Sequence, residues 1–377
     1  MTTGGSASVL IIDDRPDDFS KDLEANLKKS GLKATTLHPS ELGKDSLTDV
    51  DLILVDYYLE DWKERDELGD APALQPQDGL ALSAILRSHV RTVEKKSPTA
   101  IALITSKLPE LMSPLPPDNR AHIISRVNGV EWIFDKNDSA IHTKAISLAH
   151  AVRQLPQKWT GQKELRDLLN ITSLPGGSTE SSLTEDACRD VLRCIPPIHE
   201  LSTWSHGISF IRWFLQRVLP YPCFLIDSIQ ISARLRLDAE ALSAALSKEA
   251  PLEKIFNPYL YKGILAEFNG QMWWRAGIEA FLWEKTAGRS FEISSVHKAI
   301  NNISGIQIPA SKPSTDPVVC YDKNLKPLKQ FEAMETAVRI WPDDWPAYAE
   351  QPWISIAQAR ADADLLALVI EEDRGRI

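Results

Sequence analysis

Ser8-Val-Leu-Ile-Ile-Asp-Asp-Arg-Pro16 and Asp51-Leu-Ile-Leu-Val-Asp-Tyr57 are the stretches whose reading decides the fold. Each is a short aliphatic run that stops on acidic residues. An apolar run of this length between polar neighbours reads as a strand buried on both faces, as in a parallel sheet. The carboxyl ends of such strands line the crevice where ligands sit. Asp13, Asp14 and Asp56 are therefore expected at one sheet edge. Three carboxylates in one place repel one another unless a hard cation lies between them, and Mg²⁺ suits that arrangement.

Outward from these runs, strand-like and helix-like patterns alternate over residues 8 to 155. Phe19, Leu23 and Leu27 repeat at helical spacing within Asp17 to Lys29, and Gly31 is a stop signal. Lys33 to Leu37 reads as the second strand, Leu52 to Val55 as the third and Gly79 to Arg87 as a helix. Ala100 to Ile104 is a fourth strand ending at Thr105 and Ser106, while Ile123 to Val127 fits either state. Trp132 to Phe134 is a fifth strand leading into Asp135-Lys136, and Ile141 to Val152 is a closing helix. Such βα alternation predicts an α/β fold: a five-stranded, doubly wound parallel sheet covered by helices on both faces.

Taken singly, the polar residues have plain readings. An acidic pair after a strand is often a turn or a cap, Thr105-Ser106 could cap a helix, and Lys136 could be a solvated loop lysine. Taken together they resemble the receiver domain of two-component response regulators. An acidic pair, an aspartate, a hydroxyl and a lysine stand in that family's order at the ends of Val9 to Asp14, Leu52 to Asp56, Ala100 to Thr105 and the strand before Lys136. The resemblance covers about residues 8 to 155 and implies a flavodoxin-like fold. It implies that Asp56 accepts a phosphoryl group from a histidine kinase or a histidine phosphotransfer protein. Asp13, Asp14 and Asp56, with the backbone carbonyl of Tyr58, would hold Mg²⁺. Lys136 would neutralise a phosphoryl oxygen, and the Thr105 hydroxyl would bond the attached group.

The chain also departs from that pattern. Glu60 to Gln77 is a long insert, with Glu60 where a proline is common, and Lys107 to Asn119 enlarges the region after Thr105. Asn137 follows Lys136 where the family usually has proline. Ile133 stands where an aromatic residue is often found, with Trp132 beside it. Both inserts flank the expected site, and loops of such length are usually either functional or disordered.

The remaining chain is divided on sequence grounds into a receiver over 1–157, a helix and linker over 158–186, and a mainly α-helical output or interaction domain over 187–377. Helices are expected over Glu185 to Cys194, Ile208 to Leu219, Ala239 to Ser247, Trp273 to Thr286, Phe331 to Ile340 and Ser355 to Ile370, with a short strand over Pro317 to Tyr321. Eight of the eleven tryptophans follow Trp159, a pattern of core and interface packing. His199-Glu200 begins like a zinc-protease motif, but Thr203 occupies the place of the second histidine. Cys188 and Cys194 have no second pair beside them, so zinc is not expected.

Arg234 to Phe256 could form a helix-turn-helix, with Asp238 capping one helix and Pro251 opening the next, but its basic residues are few and interleaved with acids. A DNA-binding regulator is thus one alternative. A phosphate sink or relay intermediate is another, and a receiver fused to an unrecognised enzyme a third. The sequence as a whole points to a Mg²⁺-dependent phosphoacceptor protein rather than a turnover enzyme, whose C-terminal domain contacts a downstream protein. The net charge of −10 gives no basic surface for nucleic acid or anionic membrane. Four cysteines do not form a disulfide framework, and Met1 to Ala7 shows no signal peptide, so a cytoplasmic location is expected.

Overall fold

The computed structural model describes the chain apart from residues 1–5, 17, 63–75, 93–97, 113–119, 157–158, 160, 177–181, 202–206, 247–250, 306 and 314–315. Most of the two inserts, the middle of the linker and Thr203 lie outside the described residues. The chain divides into two compact units: residues 1–168 with 197–220 and 264–269, and residues 169–196, 221–263 and 270–377.

The first unit is built on five parallel strands, β1 (Ser8–Ile12), β2 (Lys33–Leu37), β3 (Leu52–Asp56), β4 (Ala100–Thr105) and β5 (Trp132–Asp135), in the order β2-β1-β3-β4-β5. The helices between them are α1 (Asp18–Lys29), α2 (Gly79–Thr92), α3 (Ala121–Val127) and α4 (Ile141–Arg153). Each expected strand is present, and the ambiguous Ile123 to Val127 segment is helical. The chain steps from β1 to β2, then back past β1 to β3, β4 and β5, and the right-handed crossovers that parallel strands favour divide the helices of such an order between the two faces. Alternate residues Leu10, Ile12, Ile53, Val55, Ile101, Leu103 and Ile133 pack with Leu82 and Leu86 of α2 and Ile124 of α3. On the other face α1 lies beside α4. Leu23 and Leu27 of α1 are fully buried there, and α1 stops at Gly31, whose φ of +85° favours a residue without Cβ.

After α4 come α5 (Gln162–Leu169), α6 (Ser182–Arg193), α7 (Ile198–Leu201) and α8 (Ile208–Trp213). The last continues as a π-helical turn over Phe214–Val218, so the apolar run ended by Pro220 is helical as expected. It belongs to the first unit and packs on α3 and on the turn that leads into β5. The basis is Glu131, fully buried just before β5. Its carboxylate accepts from Arg87 Nη1 and Nη2 (3.1 and 3.2 Å), Arg212 Nε (2.7 Å) and the Ile101 N–H (2.5 Å). Gln216 Nε2 donates to the carbonyl of Val130 at 2.8 Å, and Arg212 Nη2 to that of Gly129 at 2.6 Å. Phe268 packs edge-on against Trp132 with ring centroids 5.0 Å apart. Trp132, the aromatic residue beside Ile133, is thus a buried packing residue, and Ile133 itself lies in the core cluster on the α2 and α3 face.

The second unit continues through β6 (Leu225–Ile226), α9 (Ser228–Leu235), α10 (Ala239–Ala245), α11 (Pro251–Phe256), β7 (Trp273–Trp274), α12 (Arg275–Lys285) and α13 (Ile293–Ser304). Then follow β8 (Pro317–Tyr321), β9 (Pro327–Ala333), β10 (Ala337–Arg339), β11 (Trp353–Ser355), α14 (Ile356–Ala361), α15 (Ala363–Ala367) and α16 (Glu371–Arg374). This unit carries a four-stranded mixed sheet in the order β10-β11-β8-β9 beside its helices. Phe331 to Ile340, expected as a helix, is the end of β9, a 3₁₀ turn and β10. The apparent helical spacing does not describe one face: Phe331 packs with Tyr221, Val319 and Trp345, whereas Val338 and Ile340 pack with Ile354 and Leu365. The expected final helix, Ser355 to Ile370, breaks at Asp362. That residue is extended (φ −131°), and its side chain caps the N–H groups of Asp364 and Leu365. Among the described residues no helix is long and apolar enough to cross a membrane.

Removing Glu131 would leave two arginine groups without their buried acceptor. Glu131→Ala is expected to destabilise the first unit by about 3–5 kcal/mol, measured by urea unfolding.

Candidate functional site

The carboxyl ends of β1, β3, β4 and β5 meet where the winding of the sheet reverses, between β1 and β3. The neighbours are held in step by the backbone. The Tyr57 N–H donates to the Ile104 carbonyl at 2.9 Å, and the Lys136 N–H to the Thr105 carbonyl at 2.8 Å. Asp13, Asp56 and Thr105 are all buried there.

Asp56 is the centre of the group. Lys136 Nζ donates to its Oδ2 at 2.7 Å, while Oδ1 is buried and has no hydrogen-bond partner among the described residues. Burial raises the Asp56 pKa above its ordinary value and the Asp13 charge adds to the rise; the Lys136 ammonium and the Tyr58 N–H only partly offset it. Lys136 also lies 5.4 Å from the centre of the Phe19 ring, where a cation is attracted by the ring face.

Asp13 is fastened on both oxygens, Oδ1 accepting from the Arg15 N–H at 2.9 Å and Oδ2 from the hydroxyl of buried Ser20. Asp14 Oδ2 instead accepts from the Asp61 N–H at 2.6 Å, and Arg15 pairs with Asp61 at 3.2 Å. The segment after β1 is thereby tied to the loop after β3. Thr105 Oγ1 accepts from the Lys107 N–H at 3.1 Å, which leaves its own O–H as a donor. The Tyr58 hydroxyl bonds to Glu110, and Lys107 lies 5.4 Å from the Tyr58 ring and 3.2 Å from Glu110. That latch joins the loop after β3 to the segment after β4.

The structure therefore brings Asp56, Asp13, Thr105 and Lys136 to one edge, while Asp14 is engaged by Asp61. No group of three or more His, Cys, Asp or Glu side chains arranged to hold a metal is present among the described residues. Ser20, Asp61 and Glu110 were missed on sequence grounds. A polar residue on the apolar side of α1 was the signal for Ser20; the other two sit in loops without periodicity. Gly79 is a further constraint. A Cβ there would lie 2.1 Å from the Asp56 carbonyl oxygen, and its N–H donates to the Tyr57 carbonyl at 2.8 Å.

No family model matches the chain, no curated protein matches it, and no solved structure matches it.

Gly79→Ala is expected to destabilise the first unit by roughly 3 kcal/mol, because the obstructing atom is backbone at the site itself; thermal unfolding measures it. Asp56 has its folded pKa raised above that of the unfolded chain. It favours the fold only where it is protonated, and that contribution is lost as pH rises through the folded value. Asp56→Asn is accordingly expected to be more stable than wild type at pH 7, with the difference shrinking as pH falls into the acidic range. Urea titrations at the two pH values measure it.

Proposed function

We propose that this chain is a receiver-type signalling protein with a flavodoxin-like first unit, in which Asp56 accepts a phosphoryl group from phosphohistidine on a histidine kinase or phosphotransfer protein. The observation that carries the reading is the state of the Asp56 carboxylate. It is buried at a strand end, is held by a lysine on one oxygen, and has no hydrogen-bond partner among the described residues on the other.

In the transfer, one Asp56 oxygen attacks phosphorus while the P–N bond breaks. The departing imidazole keeps the bonding pair, and an acyl phosphate remains on Asp56. Lys136 moves its contact from the carboxylate to a phosphoryl oxygen, and the Thr105 hydroxyl donates to another. The donor set suits a hard cation, since a buried carboxylate oxygen lacks a hydrogen-bond partner and Asp13 is close enough to act on its charge. Asp13 and Asp56 would hold Mg²⁺, with Asp14 and the Tyr58 carbonyl as the further oxygens named from the sequence. When bound, the ion supplies neutralising charge for the phosphoryl oxygens. Asp14 must exchange its bond from Asp61 to take part, which couples the loop after β3 to the chemistry. The second unit would serve as an interaction or output module.

A DNA-binding reading needs an exposed basic helix between Arg234 and Phe256. The helices α9 to α11 are present, with Asp238 capping α10. Arg234, however, is paired with Glu350 and lies 3.8 Å from Glu279, and Arg236 is paired with Asp316. Their charges are spent inside the unit, which favours protein contact over DNA.

Incubation with Mg²⁺ and acetyl phosphate, phosphoramidate or a phosphorylated histidine phosphotransfer protein is expected to place one base-labile phosphoryl group on wild type. Asp56→Asn is expected to take none, and Lys136→Ala to be labelled at least tenfold more slowly. Intact-mass spectrometry reads all three proteins. Label persisting on Asp56→Asn, or none on wild type with any donor, overturns the proposal.

A further inference from the structure

The second unit holds a pair of nucleophiles that the phosphoryl site does not use. Cys194 directly follows α6, and Cys223 lies two residues before β6. A single residue ties these places together. Arg275, at the start of α12, donates its backbone N–H to the Phe224 carbonyl at 2.9 Å. Its guanidinium reaches Asp190 of α6 at 3.0 Å, one helical turn before Cys194. The two cysteines flank this tie, and their thiols hydrogen-bond to one another. Both are buried, 3% and 1% exposed.

We propose that Cys194 and Cys223 form a redox-active thiol pair that closes to an intramolecular disulfide under a peroxide or a small disulfide oxidant. The roles of the two sulfurs differ. Burial opposes ionisation of Cys223, but the Cys194 S–H, the N–H groups of Leu225 and Phe224, and the Arg275 charge together bring its thiol below the ordinary value. Cys194 moves the other way, because its proton is the one shared with Cys223 and because it is buried. Cys223 is thus the nucleophile and Cys194 the resolving thiol.

With hydrogen peroxide, the Cys223 thiolate attacks one oxygen, the O–O bond breaks, and a sulfenic acid forms with departure of hydroxide. Hydroxide takes up the proton that Cys223 had released. Cys194 then attacks the Cys223 sulfur, its proton leaves with the sulfenic hydroxyl as water, and the S–S bond forms. Overall two thiols are oxidised, one peroxide is reduced and two waters are released.

Access comes through the end of α6. Ile195, next to Cys194, is 76% exposed and held at φ +52°, so the pair is one residue from the surface at a helix terminus, where opening costs least. The other thiols are placed differently. Cys188 lies inside α6, six residues and about 1.7 helical turns before Cys194. Cys320 in β8 has its thiol pushed up to about 12 by burial and by the Glu332 charge, so it stays protonated and unreactive.

The test uses the full chain, folded by near-ultraviolet circular dichroism, treated with hydrogen peroxide or oxidised glutathione. Remaining thiols are then alkylated under denaturing conditions, and peptides are mapped. Two of the four cysteine thiols should be lost, in a peptide joining Cys194 to Cys223 that dithiothreitol releases. Cys194→Ser should instead trap glutathione on Cys223. A bridge to Cys188 or Cys320, only glutathione adducts on wild type, or four thiols surviving in the folded chain would overturn the proposal.

Discussion

The ion pair between Asp56 and Lys136 is the contact on which the candidate site depends. All five residues of β3 are buried, so the carboxylate that ends the strand has little water to stabilise its charge. Its cation comes from beyond β5, two strands away, with β4 between them. The pair therefore fixes three strand ends at once, and the backbone bonds from Tyr57 to Ile104 and from Lys136 to Thr105 keep them in register. One oxygen of Asp56 remains outside this arrangement. That is an energetic cost in the fold, held in place by the surrounding sheet, and such costs concentrate where a protein acts.

The strands of the first unit were legible because buried parallel strands are written as unbroken aliphatic runs, and Val9 to Ile12 or Ala100 to Ile104 admit little else. Asp13, Asp56, Thr105 and Lys136 were legible for the same reason: each ends such a run. The bond that Asp14 makes was not, since its partner is a backbone N–H in the loop after β3, and a hydrogen bond to a loop has no sequence period. Ser20 could be read only as part of an amphipathic face until its hydroxyl was seen to hold Asp13.

The second unit was harder for a different reason. Phe331 to Ile340 has apolar residues at a spacing that suits a helix, yet they serve separate clusters on either side of a turn. Periodicity identifies an element only when its apolar residues share one core. Likewise two of the few basic residues in the candidate helix-turn-helix of Arg234 to Phe256, Arg234 and Arg236, pair with Glu350 and Asp316. Charge content in a sequence says how many ions there are, not whether their partners are solvent.

Glu131 has a consequence for how this protein is made. Its carboxylate and the carbonyls beside it wait for Arg212 and Gln216, which follow some eighty residues later, and Trp132 waits longer still for Phe268. On the ribosome the five strands emerge well before the segments that engage Glu131 and Trp132. An uncovered edge strand is a template for pairing with other chains. Synthesis therefore passes through an interval in which all five strands have emerged but Glu131 and Trp132, at the border strand, lack these partners. The length of that interval is set by translation speed rather than by the folding rate of the sheet itself.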